Sequence, residues 1–335
     1  MMDIAGKSGG GDRFMVLDGW RGLSILFVLA THLLPLGPKA WQLNATSGPL
    51  GMALFFTLSG FLITNFLLNH ASVASFLVRR FFRIVPLAWL YLVVALALTG
   101  GDTEDWLAHL FFYANWPPMH LTAVTSHFWS LCVEVQFYAG IALLVALLKQ
   151  RGLLLVPLVC LAFTLYRVSN DVHIAINTYY RVDEILAGSM LALIYNNRLG
   201  NWPQQFLTRT NQLLVFALLV ISCHPESGFM NYLRPYLAAT LVGSTLFNEG
   251  TRMASALDNR MLFYIAGISY ALYVIHPLLA HSWLGSGEGL EKYLKRPLLF
   301  VTLFALAHFS TFYFEKKWVN LGKGLSSRFQ SAVLR

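Results

Sequence analysis

Long apolar runs are the feature that most constrains the fold of this chain. Runs of roughly 17 to 25 mostly apolar residues recur from one end to the other, and about 20 such residues let a helix cross a bilayer. Hydrophobic residues make up 56% of the 335 positions and charged residues only 12%. A soluble domain of this length exposes far more charge. The pattern predicts an all-α, polytopic membrane protein.

Ten segments are apolar enough to be candidate spans. They are 20–36, 50–69, 84–99, 127–149, 153–167, 180–196, 211–223, 232–248, 262–283 and 297–314. Ten spans place both termini on one side of the membrane. We therefore expect a cytoplasmic N-terminal tail (1–16), a transmembrane domain (17–315) and a basic cytoplasmic C-terminal tail (316–335). Between spans we expect a short interfacial helix at 71–86 and an interfacial or re-entrant element at 100–126.

The basic residues predict the orientation. Sixteen of the 24 lysines and arginines lie in segments that are inner if the N-terminus is cytoplasmic, and four lie in outer loops. This is the bias of the positive-inside rule. It also explains the net charge of +8 without a nucleic-acid partner. The three cysteines form no CxxC pair and the histidines lack ligand spacing, so we expect neither a disulfide framework nor a metal site.

The first span contains two ionisable residues on one face. Arg21 and His32 are eleven residues apart, which places them about 20° apart around a helix and about 16 Å apart along it. Ionisable groups inside a membrane are costly and normally face the interior of the bundle. We therefore predict site roles for both, although Arg21 alone is equally well explained as an anchor at the interface.

A second polar stripe lies in HFWSLCVEVQFY, residues 127–138. His127, Ser130, Glu134 and Tyr138 share one helical face. We expect Glu134 to approach His32 in the outer half of the membrane. A carboxylate beside an imidazole orients it and raises its basicity, as a general base requires. The alternative is a buried carboxylate paired with an arginine for assembly.

Other polar residues near the span ends are weaker candidates. His276 precedes a proline, where a histidine often only satisfies freed backbone groups. Arg181 and Asp183 lie at an outer mouth and are equally well explained as anchors at the interface. The arginines of the segment RRFFR (79–83) are explained by the positive-inside bias, yet Arg79 and Arg83 share a face and would form a phosphate clamp with Arg21.

Motifs around these residues follow one another in a distinctive order. They are LDGWRGLSILFVLATH, LFFTLSGFLIT (54–64), FLVRRFFRIVP (76–86), HFWSLCVEVQFY, YRVDEILAGSML (180–191) and GISYALYVIHPLL (267–279). Together they resemble the acyltransferase-3 family of bacterial membrane O-acyltransferases, over essentially the whole chain. One departure is Val135, where the family more often has a second acidic residue, so Glu134 is expected to act alone.

The resemblance implies an enzyme of the bacterial inner membrane. It would transfer an acyl group, usually acetyl from acetyl-coenzyme A, to hydroxyls of extracytoplasmic or lipid-linked glycans such as lipopolysaccharide or exopolysaccharide. The partners are then acyl-coenzyme A, the glycan acceptor and membrane lipids, with no permanently bound cofactor. Longer members carry an additional hydrolase-like domain, so we expect this chain to complete transfer within the membrane domain or with a partner.

Each candidate residue has a role under this interpretation. His32 is the general base on the acceptor hydroxyl or a transient acyl carrier, and Glu134 orients it. Four arginines bind the donor phosphates: Arg21, Arg79, Arg80 and Arg83. Supporting residues on the acceptor side are His127, Ser130, Tyr138, Arg181, Asp183 and His276.

Two other classes remain open from the sequence. A proton-coupled transporter would use His32 and Glu134 as a proton relay. A membrane-bound O-acyltransferase of the unrelated His/Asn type has less motif support. A phospholipid acyltransferase is disfavoured, because no aspartate lies five residues after any histidine.

Overall fold

The computed structural model describes residues 14–70 and 72–333, and this part of the chain is helical without a strand. The helices are α1 Met15–Leu33, α2 Leu43–Asn69, α3 Val73–Thr99, α4 Thr103–Leu110, α5 Phe128–Leu148, α6 Val156–Ser169, α7 Thr178–Arg181, α8 Asp183–Tyr195, α9 Trp202–Arg209, α10 Gln212–Cys223, α11 Met230–Phe247, α12 Arg252–Leu257, α13 Arg260–Ala280, α14 Gly289–Leu294, α15 Arg296–Phe309 and α16 Lys316–Val333. The predicted all-α class is confirmed. The predicted N-terminal tail lies outside the described residues, except for 14–16.

Six helical stretches in the described part are long and apolar enough to cross a membrane. They are Met15–Leu33, Lys39–Asn69, Val73–Thr99, Phe128–Ser169, Arg260–Ala280 and Gly289–Phe329. Together α9 and α10 form a seventh candidate, bent by 92°. A helix occupies each of the ten predicted segments, but α6, α8 and α10 have only 14, 13 and 12 residues. Length and composition thus support about six spans, while the count of ten and the cytoplasmic termini remain predictions.

The backbones of α2 and α8 approach each other very closely. A Cβ atom added to Gly60 would lie 1.9 Å from the carbonyl oxygen of Ile185, and one added to Gly188 would lie 2.0 Å from that of Thr57. Glycine at both positions permits this approach, as at many interfaces between membrane helices. Helix α1 packs along both α2 and α13. Helices α1 and α13 carry residues of both regions described below, and α2 carries residues of the first.

The separate interfacial helix expected at 71–86 is not present. Instead α3 is one helix of 27 residues that continues through Pro86. It begins after Ser72, whose hydroxyl accepts a hydrogen bond from the backbone N–H of Ser75, as a helix N-cap does. The apolar sequence on both sides of the proline keeps the two predicted segments in one helix. The RRFFR segment therefore lies in the first half of a long helix.

The chain between α3 and α5 contains only one short helix. Asp102 and Asp105 cap the start of α4 reciprocally, since each side chain accepts a hydrogen bond from the other's backbone N–H. The backbone from Phe111 to His127 is irregular. The Tyr91 hydroxyl of α3 donates a 2.6 Å hydrogen bond to the carbonyl oxygen of Val124. This bond ties the irregular segment to the bundle just before His127.

The C-terminal segment, predicted as a basic tail, is the helix α16. It follows α15 through the π-helical turn Ser310–Glu315 and packs along α3. Gly322 makes this contact close, because an added Cβ would lie 2.7 Å from the Cβ of Phe82. The rings of Phe82 and Trp318 are also stacked, with centroids 6.1 Å apart. The last helix is therefore part of the packed structure.

Candidate functional site

A cavity of about 380 Å³ with several charged lining residues lies at the end of the bundle that the charge bias predicts to be cytoplasmic. Five cationic side chains line it: Arg21, Arg79, Arg80, Arg83 and Lys323. We call it the arginine pocket. Its volume is in the range of small-molecule sites. The structure thus brings together the four arginines that the sequence predicted for donor binding, and it adds a lysine that the sequence analysis did not select.

Two of these arginines are paired with carboxylates. Arg21 donates a 2.9 Å hydrogen bond to Asp18, one turn earlier in α1. Arg83 lies 3.8 Å from the buried carboxylate of Glu315, which also accepts hydrogen bonds from hydroxyls of its own π-helical turn. The turn therefore aims a carboxylate at α3. Both pairs fix the arginine side chains and offset part of their charge.

The other two arginines of α3 have neutral neighbours. Arg79 donates from Nε to the hydroxyl of Ser326 at 2.8 Å. The guanidinium of Arg80 lies over the rings of Phe76 and Tyr138, at 5.9 and 5.7 Å from their centroids. Within residues 14–70 and 72–333, neither arginine has a carboxylate partner. Their charge is available to an anion in the pocket.

Glu134 lies in the arginine pocket. Its Oε1 accepts hydrogen bonds from the hydroxyl of Ser59 on α2 and, at 2.5 Å, from the hydroxyl of Tyr138 one turn later. The predicted pairing of Glu134 with His32 is therefore not what the structure shows. The reason is the position of Glu134 along α5. His127, just before α5, lies near His32, whereas Glu134 lies seven residues, or about 10 Å, farther along the helix. A shared helical stripe in the sequence did not reveal this difference.

Three histidines meet at the opposite end of α1: His32 of α1, His276 of α13, and His127 immediately before α5. The ring centroids of His32 and His276 are 5.1 Å apart, and those of His127 and His276 are 5.6 Å apart. We call them the histidine cluster. His127 and His276 are buried, whereas His32 is exposed. The cluster therefore presents one accessible imidazole that is backed by two enclosed ones.

Backbone contacts define the tautomer of His276. Its Nδ1 lies 2.7 Å from the carbonyl oxygen of Tyr273. A carbonyl only accepts, so Nδ1 carries a proton and, in the neutral ring, Nε2 holds a lone pair. This Nε2 is buried and has no hydrogen-bond partner among the described residues. An unpaired acceptor next to His32 is suited to receive an N–H from that ring.

Ser130 and Tyr273 lie beneath the cluster. The two hydroxyl oxygens are 2.5 Å apart, and both reach the carbonyl oxygen of His127, at 3.2 and 2.7 Å. The ring of Tyr273 also stacks with that of Phe55, at 6.4 Å between centroids. Phe55 lines the arginine pocket. These two aromatic rings therefore lie between the arginine pocket and the histidine cluster.

Comparison with known proteins decides the family. Residues 16–316 match a family model described as an acyltransferase domain. The chain belongs to the acyltransferase-3 family. The match includes all the residues of the histidine cluster, and every cation of the arginine pocket except Lys323. The resemblance inferred from the sequence motifs is confirmed.

Curated proteins that are similar to this chain match it over about half of their own length. A Staphylococcus aureus (strain COL) protein named "Putative O-acetyltransferase" is 27% identical over 307 residues, covering 78% of this chain and 49% of the relative. The peptidoglycan O-acetyltransferase OatA of Listeria monocytogenes is 26% identical over 310 residues, covering 78% and 48%. This chain spans about half the length of the curated relatives it matches. No solved structure matches it significantly.

In this acyltransferase-3 chain, Arg181 and Asp183 belong to a buried network of charges. Asp183 is paired with Arg167, and Glu184 with both Arg181 and Arg234 at 3.4 and 2.6 Å. These groups join α6, α7, α8 and α11. The structure thus gives the two predicted acceptor-side residues ion-pair partners within the bundle; a role towards an acceptor remains a prediction.

Several residues of both regions were not predicted from the sequence. They are Ser59, Tyr273, Glu315, Lys323 and Ser326. A signal existed for Glu315, because it is a carboxylate at the end of an apolar span. The hydroxyl residues gave none, since serine and tyrosine are common in membrane helices. In the described chain, no three side chains of His, Cys, Asp or Glu are arranged to hold a metal ion.

Proposed function

We propose that this chain is a membrane O-acyltransferase of the bacterial cytoplasmic membrane. It takes an acyl group, most simply acetyl, from acyl-coenzyme A at the arginine pocket and passes it to a glycan hydroxyl at the histidine cluster. One observation carries the proposal: α1 places Arg21 in a pocket lined by five cationic side chains and His32 in a cluster of imidazoles about 16 Å farther along the same helix.

The charge of the arginine pocket supports it as the binding site of acyl-coenzyme A. Coenzyme A carries a diphosphate and a further phosphate, and the pocket offers five cations against one lining carboxylate. Arginine suits phosphate because its planar guanidinium forms paired, charge-assisted hydrogen bonds. The thin pantetheine arm then extends past Glu134 towards Phe55 and Tyr273. Movement of these two rings is the step that brings the thioester to His32.

The proposed chemistry at the acceptor depends on the exposed imidazole of His32. His32 accepts the proton of the acceptor hydroxyl through one ring nitrogen while its other N–H donates to Nε2 of His276. The hydroxyl oxygen attacks the thioester carbonyl carbon, and the carbon–sulfur bond breaks as the tetrahedral intermediate collapses. The proton held by His32 passes to the departing thiolate. The products are the acyl ester and free coenzyme A.

The acceptor is a glycan on the outer side of the membrane or linked to a lipid. The Listeria relative is named as a peptidoglycan O-acetyltransferase, so peptidoglycan fragments are the first acceptor to test, ahead of lipopolysaccharide and exopolysaccharide sugars. We also place both termini in the cytoplasm. This orientation puts the arginine pocket on the side where acyl-coenzyme A is made.

The test is an assay of the full chain in nanodiscs with radiolabelled acetyl-coenzyme A and peptidoglycan fragments or lipid-linked saccharides. His32→Ala is expected to lower turnover by about 10²- to 10⁴-fold, as removal of a general base does, and to bind coenzyme A normally. His308→Ala, a half-buried histidine of α15 outside the histidine cluster, is the control. Near-normal turnover by His32→Ala would reject the assignment of the base.

A cellular measurement identifies the acceptor. Mass spectrometry of surface glycans from cells with and without the gene is expected to show acetyl esters that depend on the gene. A proton-coupled transporter remains the competing class. It predicts no gene-dependent ester, no stabilisation of the protein by coenzyme A, and pH-driven uptake of a solute into vesicles.

A further inference from the structure

The C-terminal helix forms one wall of the arginine pocket. Val319 and Lys323 of α16 both line the cavity. They are four residues apart and therefore lie on the same helical face. Lys317 belongs to the same helix but does not line the cavity. Helix α16 thus directs one of its lysines at the pocket.

The docking of α16 also holds two of the arginines. Ser326 accepts the hydrogen bond of Arg79, and Glu315, at the entry to α16, faces Arg83. The close contact of Gly322 with Phe82 fixes the register of α16 against α3. The position of the last helix therefore determines where these guanidinium groups lie.

The distribution of charge indicates what the pocket binds. Asp18 and Glu315 offset Arg21 and Arg83. The cations left without a carboxylate partner, among the residues described, are Arg79, Arg80 and Lys323. Two of them belong to α3 and one to α16, so a ligand that uses all three must bridge the two helices. A ligand with several phosphate groups fits this arrangement better than a single carboxylate.

We propose that α16 is part of the donor site and that Lys323 binds a phosphate of the donor. The ligand class is an organic polyphosphate, and under the proposed function, on which this inference rests, it is the nucleotide portion of a coenzyme A thioester. Lys323 supplies a point charge that complements the planar guanidinium groups of α3. Glu315 and Ser326 are positioning residues for Arg83 and Arg79.

The test compares Lys323→Ala with Lys317→Ala in the full chain, in nanodiscs of zwitterionic lipid, with free coenzyme A as the titrated ligand. A hydrogen bond to a charged group contributes about 1.5–3 kcal/mol, so Lys323→Ala is expected to weaken binding at least tenfold. Lys317→Ala is expected to bind as the wild type does. Lys323→Arg is expected to restore most of the affinity. Alanine is a good helix former, so both variants keep α16 intact.

The outcomes separate this inference from the proposed function. If the wild type binds no coenzyme A, the proposed donor fails and this inference fails with it. If the wild type binds coenzyme A and Lys323→Ala binds it equally well, the inference is overturned and the proposed function stands. A difference between the two lysine variants that arises only in nanodiscs of anionic lipid would assign Lys323 to lipid headgroups and also overturn the inference.

Discussion

The ring of His276 packs against the ring of His32, with 5.1 Å between their centroids, while its own Nδ1 is held by the carbonyl oxygen of Tyr273. The backbone therefore fixes which nitrogen of His276 is the acceptor. A histidine held in one tautomer can orient a neighbouring imidazole as a carboxylate does in many enzymes. Under the proposed function, His276 and not Glu134 is therefore the residue that orients His32.

Substitution of His276 is expected to affect turnover and not donor binding. His276→Ala removes the acceptor that we propose for the N–H of His32, and we expect kcat to fall at least tenfold with the Kd of coenzyme A unchanged. The measurement pairs steady-state kinetics with ligand titration in nanodiscs. Added imidazole is expected to recover part of the rate, which a purely structural defect would not allow. Weakened binding of coenzyme A together with unchanged kcat would contradict this role.

Glu134→Gln is expected to separate donor binding from donor positioning. The amide removes a negative charge from a pocket that binds phosphates, so coenzyme A binds at least as tightly as in the wild type. The amide is a poorer acceptor for the hydroxyls of Ser59 and Tyr138. The pantetheine arm is then held less well and turnover falls at least tenfold, because small displacements of a reacting group are costly.

Tyr138→Phe is the matched variant for this prediction, since it removes one of the two hydroxyl donors and keeps the carboxylate of Glu134. It is expected to lower turnover less than Glu134→Gln does. Isothermal titration with coenzyme A and acetyl-transfer kinetics on the same preparations provide the comparison. A loss of coenzyme A affinity beyond tenfold in Glu134→Gln would show that the carboxylate binds the donor directly.

The membrane class and the grouping of the four arginines were predictable because they depend on local rules. Apolar length predicts helices in lipid, and Arg79, Arg80 and Arg83 lie within one short segment of a helix. Arg21 joins them because the positive-inside bias puts its end of α1 on the same side. Nothing more than helical geometry and charge is needed for this inference.

The partner of His32 was not predictable, because it depends on how deeply neighbouring helices sit against α1. His276 and Glu134 both lie on helices that contact the centre of the bundle, and the sequence does not give their relative heights. Helix α16 was missed for a related reason. Its apolar and basic residues are typical of an interfacial tail, and only its packing on α3 brings Lys323 to the pocket.

Arg80→Ala is expected to weaken coenzyme A binding about tenfold. Its guanidinium rests on the rings of Phe76 and Tyr138 and forms no ion pair with a carboxylate among the described residues, so its charge is available to a phosphate. The difference from the wild type is expected to shrink as salt is raised, because ions screen the attraction. Arg209→Ala, an exposed arginine on α9, is the control. Titrations at two salt concentrations that show equal affinities for both variants would leave Arg80 as a topology anchor.

The buried charges of α8 and α11 are expected to govern stability. Arg234 donates from Nε to Glu184 at 2.6 Å, and both side chains are fully buried. Arg234→Met removes one of the two arginines that face Glu184 and leaves its carboxylate underpaired in a low-dielectric interior. Breaking such a pair costs about 3–5 kcal/mol, so the thermal midpoint in detergent is expected to fall by several degrees. Arg198→Ala, at an exposed position, is expected to leave it unchanged.

A double substitution tests whether the pair itself is the cause. Arg234→Met combined with Glu184→Gln removes both charges, so no carboxylate is left without its partner. If the lost pairing explains the defect, the double variant recovers part of the midpoint that Arg234→Met loses, and the two effects are not additive. Additive losses would instead mean that each side chain is needed for its own packing. Coenzyme A affinity serves as the control, since the pair lies away from the arginine pocket and the double variant is expected to bind the ligand normally.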